Sequence, residues 1–227
     1  MGDKIKVKAA KTKKMVLEIV QDAEYWRNRP LSDAKKDWEY EEDNWISGYW
    51  ASRNHEHRKL IVDELKKLSF DSLLEVGCNC GPNLEVVRRN FPHAELAGVD
   101  VNERSVLEAQ TWFPGVRWGY AQELNFPDKS HDVVLSDAVL MYVPPEEIGK
   151  VMDEIVRVAK KAVILIEWFD ISKKGVVRNF HWCRDYSSLL EERGMKVERY
   201  KLPKELWATP NWTKNGYVFL GKFLDEN

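Results

Sequence analysis

Apolar and polar positions along this chain switch repeatedly between two periods. Four short apolar runs of strand length are Leu73–Val76, Leu96–Val99, Asp132–Ser136 and Ala162–Ile166. Runs of this length, bounded by turn residues and charges, read as buried strands. Val116–Ala121 is a fifth candidate, and Lys196–Lys201 and Tyr217–Phe223 are two late ones. Between them lie segments of helical period. His57–Leu68 carries Ile61, Leu65 and Leu68 on one face. The helix opened by Pro82 carries Leu84, Val87 and Phe91, and Glu103–Phe113 carries Val106, Ala109 and Phe113. A helix from Pro144 carries Ile148, Val151, Met152, Ile155, Val156 and Ala159, with Lys160 and Lys161 suited to its C-terminus. A last helix around Tyr186–Arg193 is stopped by Gly194. Alternating strands and helices predict an α/β fold with a mainly parallel sheet and helices on both faces.

The most informative stretch is Ser72–Asp100. A buried strand runs into the tight loop Gly77–Gly81, and Pro82 opens a helix where its missing N–H costs nothing. The next strand ends in a carboxylate, Asp100. In a parallel sheet, ligands bind outside the carboxyl ends of the strands. Glycines allow close backbone approach, and an acid about 20 residues on can take ribose hydroxyls. The unit therefore reads as a nucleoside site. A dinucleotide fingerprint would place glycine at 77, 79 and 82, where the chain has Gly77, Asn79 and Pro82; no phosphate-loop G-K-[ST] closes the turn.

Glu75-Val-Gly77-Cys78-Asn79-Cys80-Gly81 resembles motif I, [DE]-x-G-x-G-x-G, of the class I S-adenosylmethionine-dependent methyltransferases, with Asn79 in place of the middle glycine. Asp132-Val-Val-Leu-Ser136 resembles the family's fourth strand, and the similarity is greatest to the group that includes the quinone-biosynthesis enzymes. It runs from about Ser69 to the C-terminus, leaves residues 1–50 uncovered and names no substrate. It implies a Rossmann-like seven-stranded sheet closed by an antiparallel last strand. It also implies S-adenosylmethionine as cofactor, with S-adenosylhomocysteine as product. Carried onto this chain, the cofactor residues are Glu75, Gly77, Cys78, Asn79, Gly81, Asp100, Val101, Ala121, Gln122 and Asp137. Where the family often has G-D-A, this chain has Gly119-Tyr120-Ala121, so Gln122 or Glu123, or backbone and stacking, must hold the adenine. Arg53 could clamp the carboxylate of the cofactor's methionine part by a bidentate pair, or sit on the surface.

Two regions divide the chain: residues 1–54 as an N-terminal extension and 55–227 as the methyltransferase domain. The extension begins with a tail holding six lysines in Met1–Lys14. Tyr25–Trp50 then packs Tyr25, Trp26, Trp38, Tyr40, Trp45, Tyr49 and Trp50 among Asp37, Glu39, Glu41, Glu42 and Asp43 with no clean period. In many small-molecule methyltransferases such a segment is a lid, and flat rings exclude water from a charged sulfonium. Packing against the outer helices is the plainer alternative. His55 and His57, two apart, read as solvated.

Methyl transfer from a sulfonium needs alignment and dehydration, and a base only if the acceptor carries a proton. Asp137, Glu167 and His181, with Tyr142 nearby, are the candidates at the ligand side of the sheet. Asp137 is equally suited to the cofactor's amino group, and Glu167 to a plain strand-end charge. Neither the N-P-P-Y of amino-group methylation nor the Pro-Cys of cytosine C5 enzymes occurs at Ser136–Val139. The favoured reading is a small-molecule methyltransferase acting on oxygen, nitrogen or carbon. A cofactor-binding protein without activity, and a tRNA or protein methyltransferase using the lysine tail, are the alternatives.

Composition narrows partners. With 35 basic and 37 acidic residues the net charge is −2, so no global field draws nucleic acid or anionic membrane. There is no apolar run of spanning length and no secretory core segment near the lysines. Three cysteines, Cys78, Cys80 and Cys183, make no disulfide framework and point to a reducing cytoplasm. Cys78-x-Cys80 is too close for a zinc knuckle, so no metal is expected and both thiols read as loop filler. A monomer or homodimer is expected.

Overall fold

In a computed structural model, the residues described are 22–31, 44–169, 176–178 (backbone only), 181–207 and 209–223. The lysine tail and the part of the aromatic segment holding Trp38 and Tyr40 lie outside them. Seven strands form one sheet in the order β3-β2-β1-β4-β5-β9-β8. These are β1 (Ser72–Val76), β2 (Glu95–Asp100), β3 (Val116–Trp118), β4 (His131–Asp137), β5 (Ala159–Trp168), β8 (Met195–Lys201) and β9 (Gly216–Phe223). The pairs β1·β2, β1·β4, β2·β3 and β4·β5 are parallel; β9 is antiparallel to both β5 and β8. The last strand in sequence thus inserts, reversed, between β5 and β8.

Successive residues of each strand serve opposite faces. On one face Leu73, Leu135, Ile164 and Ile166 pack against α3 (Arg58–Leu65), α4 (Pro82–Asn90) and α5 (Glu103–Gln110). On the other, Leu74, Val134, Val163 and Leu165 pack against α6 (Ile148–Val158) and α7 (Tyr186–Glu191). Burial on both faces explains why these strands are continuous apolar runs rather than alternating ones.

Some bounds differ from expectation. The third strand stops at Trp118, because Tyr120 and Glu123 close a separate bridge. The helix expected from Pro144 begins at Ile148, after a turn in which Glu147 and Ile148 both donate to the Pro144 carbonyl. Tyr25–Trp50 contains two short helices, α1 (Ala23–Asn28) and α2 (Trp45–Ala51), capped by Asp22 and Asn44. The hairpin of β6 (Val176–Arg178) and β7 (His181–Cys183) and the helix α8 (Pro210–Asn215) are additional elements. Among the described residues no helix is long and apolar enough to cross a membrane.

Candidate active site

The loop after β1 is shaped by three consecutive odd-numbered residues with positive φ: Gly77 (80°), Asn79 (49°) and Gly81 (87°). Asparagine is the non-glycine residue best able to adopt this conformation, which accounts for its place in the motif. Its Oδ1 accepts from the Cys80 N–H at 2.7 Å, pinning the turn. The Gly77 and Cys78 N–H groups donate to the Val99 carbonyl at 2.7 and 3.1 Å, tying the loop to β2. Cys78 and Cys80 are buried and unoxidised inside it, and Cys80 Sγ reaches the Ile46 carbonyl of α2 at 3.4 Å.

Asp100 closes the far side. Its Oδ2 accepts from the Asn79 N–H and its Oδ1 from the Asn102 N–H, each at 2.8 Å. Burial raises its pKa against the pull of these backbone donors. The Val101 N–H contributes as a third backbone donor, and no cation pairs with the carboxylate among the described contacts. A cavity of about 360 Å³ lined by Arg27, Asn28, Glu103 and Trp118 opens beside this strand end. Trp118 Nε1 donates to the Val101 carbonyl at 2.9 Å, and Tyr120 meets the Trp118 ring edge-on. Ala121 is half-buried next to Gln122, whose Nε2 donates to Glu147 Oε2 at 2.9 Å.

Behind the loop sits a buried polar cluster. Asn83 Nδ2 donates to Glu75 Oε1 at 2.7 Å and to Asp137 Oδ2 at 3.0 Å. Arg58 bonds Asn83 Oδ1 and lies 3.6 Å from Asp137 Oδ2, with its remaining donors on Ser52. His57 Nε2 lies 3.0 Å from Asp137 Oδ2, and its Nδ1 lies 2.6 Å from His55 Nδ1. Burial pulls the His57 imidazole down to about 4, against the attraction of Asp137. The neutral ring then donates Nε2–H to the carboxylate. For Asp137, burial is outweighed by His57, Arg58 and Asn83, which hold its carboxyl below the usual range. Burial drives Glu75 up to about 8, with only the Asn83 amide bonded to it. Two oxygens in the cluster, Glu75 Oε2 and Asp137 Oδ1, are buried without a hydrogen-bond partner among the described residues.

The histidine pair corrects the expectation of solvated residues. His57 is fully buried, stacked 4.1 Å from the Trp207 ring, which stacks 3.9 Å from Trp212. Residues 52–54 form a 3-10 turn and 56–57 a second turn ahead of the helix, and the two rings meet there. Arg53, read as either a cofactor clamp or a surface residue, is half-buried and packed on Trp50. Its Nη1 donates to the Trp50 carbonyl and its guanidinium covers the Trp50 ring. It lines a groove of about 440 Å³ running past Val86, Arg89 and Asn90 at the C-terminal turn of α4.

Beyond the ends of β4 and β5, four aromatic rings form a chain. Trp26 of α1 lies 5.1 Å from Tyr142, Tyr142 4.9 Å from His181, and His181 4.6 Å from Trp168. His181 Nε2 and Tyr142 Oη are 3.2 Å apart. Glu167 does not join them. It is fully buried, and its oxygens accept from the Val139, Leu140 and Met141 N–H groups at 2.9, 2.8 and 3.2 Å. Burial pushes its pKa to about 8 while those donors pull it back. It caps the turn after β4, which takes it out of the role of base.

The described part of the extension covers this ground. Asn102 Nδ2 donates to the Trp26 carbonyl at 2.8 Å, and Trp45 Nε1 donates to the Pro30 carbonyl at 3.1 Å. Arg29, buried, lies over the rings of Trp26 and Trp45 at 5.1 and 4.7 Å. Sequence reasoning missed Arg29, His57, Arg58 and Asn83. Only Asn83 carried a signal, as the second residue of the motif helix.

Residues 74–166 match the family model described as "Methyltransferase domain". An uncharacterised protein of Haemophilus influenzae is 28% identical over 145 residues, 60% of this chain and 54% of its own. A trans-aconitate 2-methyltransferase of Acidovorax sp. is 24% identical over 104 residues, 44% of this chain and 40% of its own. The chain thus spans about half or less of the length of these curated relatives. Among solved structures, magnesium protoporphyrin IX methyltransferase from Synechocystis with bound SAH superposes with a TM-score of 0.64 at 14% identity, covering 89% of this chain and 98% of that one. At that identity the likeness is one of fold.

Proposed function

We propose that the chain, whose residues 74–166 match the methyltransferase-domain family, is a class I S-adenosylmethionine-dependent methyltransferase that methylates a small organic acceptor held between the loop after β1 and the aromatic rings beyond β4 and β5. The observation that carries this reading is the pair of buried oxygens behind the glycine loop, Glu75 Oε2 and Asp137 Oδ1, which have no hydrogen-bond partner among the described residues. Unpaired carboxylate oxygens are costly unless a cation completes them. S-adenosylmethionine supplies two positive groups, an ammonium and a sulfonium whose methyl is electrophilic, and its product is the neutral thioether S-adenosylhomocysteine. The residues fit it.

Asp100 would hold the ribose hydroxyls. The backbone at Gly77, Cys78, Asn79 and Gly81 lets the methionine part approach. Val101, Ala121 and Gln122 would flank the adenine, in keeping with the cavity beside Trp118. Glu75 and Asp137 would face the cationic end, with His57, Arg58 and Asn83 fixing Asp137 in place. Tyr142 and His181 would orient the acceptor. Residues 22–31 and 44–51, with Trp26, Arg29 and Trp45, would form the lid and exclude water. Alignment and dehydration supply most of the acceleration for a displacement with a neutral leaving group.

A small acceptor is supported by the closeness of the covering rings and by curated relatives named for trans-aconitate. Buried reduced thiols fit a cytoplasmic setting. Calorimetry with S-adenosylmethionine, with Asp100→Ala as control, tests the cofactor half. Wild-type binding no tighter than the variant's would remove it. A labelled-methyl screen of a metabolite extract, with product masses, tests the acceptor half. Deleting residues 1–14 should leave that activity intact; its loss would favour a macromolecular acceptor instead.

A further inference from the structure

Two anchors of the N-terminal extension grow out of the elements assigned to the cofactor. The first is Asn102, which follows the strand end at Asp100. Its backbone N–H donates to Asp100 Oδ1 at 2.8 Å, and its Oδ1 caps α5 by accepting from the Ser105 N–H at 3.0 Å. Its Nδ2 donates to the Trp26 carbonyl of α1 at 2.8 Å. The second anchor is the loop after β1. Cys80 packs with Trp45 and Ile46 of α2, and Trp45 Nε1 donates to the Pro30 carbonyl just beyond α1 at 3.1 Å. The helix α1 has six residues, none of them fully buried. A helix so short is unstable alone in water, so its place depends on these contacts. Trp26 faces both halves of the site: its carbonyl takes the Asn102 bond, and its ring lies 5.1 Å from Tyr142.

Resting on the methyltransferase reading above, we infer that α1 docks in response to the cofactor, with Asn102 as the positioning residue that links the two. The cavity beside Trp118 supplies the reason. It is lined by Arg27 and Asn28 from α1 and by Glu103 and Trp118 from the domain, so an adenosine seated there touches α1 only while α1 is docked. A ligand that gains contacts in one of two states shifts the population toward that state. The docked state is also the one that brings the Trp26 ring to Tyr142. The acceptor side is therefore completed after the cofactor is in place, and S-adenosylhomocysteine leaves when α1 lifts. Asn102 couples these events because one residue braces Asp100 through its backbone and α1 through its amide.

Hydrogen exchange of the full chain, with and without saturating S-adenosylhomocysteine, tests the coupling. In the wild type the ligand should slow exchange across residues 22–31 as well as across the loop 77–81. Asn102→Ser keeps a capping oxygen for α5 and the backbone N–H on Asp100, and removes the amide that holds α1. It should reduce the slowing at 22–31 by about two- to tenfold, the worth of one hydrogen bond, and leave the slowing at 77–81. Trp45→Phe keeps a ring and drops the N–H on Pro30; it should act on 22–31 to a similar extent, and it carries the test if the first variant fails to fold. Release of S-adenosylhomocysteine, followed by stopped flow, should quicken by the same factor in both. Slowing at 77–81 with none at 22–31 in the wild type, or unchanged slowing at 22–31 in both variants, overturns the inference and leaves the cofactor reading standing. Equal loss at both stretches in Asn102→Ser would make Asn102 a brace of Asp100 alone and overturns its positioning role. No slowing at either stretch in the wild type removes the cofactor reading and the inference with it.

Discussion

Gly77→Ala offers the sharpest test of how the cradle is built. A Cβ at position 77 would stand 2.2 Å from Val139 Cγ2, 2.7 Å from Cγ1 and 3.0 Å from Cβ, and the backbone there has φ +80°. Two costs follow. An L-residue in the left-handed region costs roughly 1–2 kcal/mol. Displacing a packed side chain costs roughly 1–3 kcal/mol more. Val139 cannot retreat easily, because its own N–H and those of the next two residues are clamped by Glu167, and Ala138 before it already has φ 58°. The sum is about 2–5 kcal/mol, a large share of a typical stability of about 5–15 kcal/mol. Urea unfolding at constant m-value reads it directly. Because the clash and the backbone strain are separable, Val139→Ala made in the Gly77→Ala background should recover only the clash part. A double-mutant cycle would then show coupling of about 1–3 kcal/mol. Coupling near zero, or a single-variant loss below about 1 kcal/mol, would mean that the loop does not approach Val139 as described.

Four further outcomes are expected. Glu75 titrates near 8 in the folded chain because it is buried, above its ordinary 4.5. Its contribution to stability is therefore full below about pH 4.5 and lost as pH rises through about 8, and Glu75→Gln should flatten that part of the urea-midpoint profile; an unchanged slope refutes the burial argument. A cation placed beside Glu75 favours its ionised form, so cofactor binding near pH 7 should release protons, read by calorimetry in buffers of different ionisation enthalpy. Asp100→Asn puts an amide N–H against one of the Asn79 or Asn102 N–H groups and should weaken cofactor binding about tenfold or more; equal affinity would show that the carboxylate is only a loop brace. Glu167→Gln leaves one N–H of residues 139–141 without an acceptor and should cost about 1–3 kcal/mol in thermal or urea unfolding; a neutral result would contradict the capping role.

Local chemistry was readable in the amino acids alone. Leu73–Val76, a loop that tolerates positive φ at 77, 79 and 81, and a proline opening the helix are short-range instructions, and the β1 unit forms where they place it. The faces of α3, α4 and α6 follow equally from spacing. Bounds set by remote partners drifted: β5 extends to Trp168 because β9, far along the chain, pairs with it to that point.

What tertiary structure alone decided is which polar residues converge. Arg53 and Arg58 are five apart, chemically alike and both line the outer groove, yet only Arg58 reaches in to Asp137, while Arg53 donates to the Trp50 carbonyl. His57 is buried because Trp207, 150 positions later, stacks on it, and Glu167 is consumed by a turn some 27 residues before it. Periodicity records which face a residue occupies within its own element. The environment of a charge depends on groups brought in by the sheet's strand order, and no local spacing encodes those.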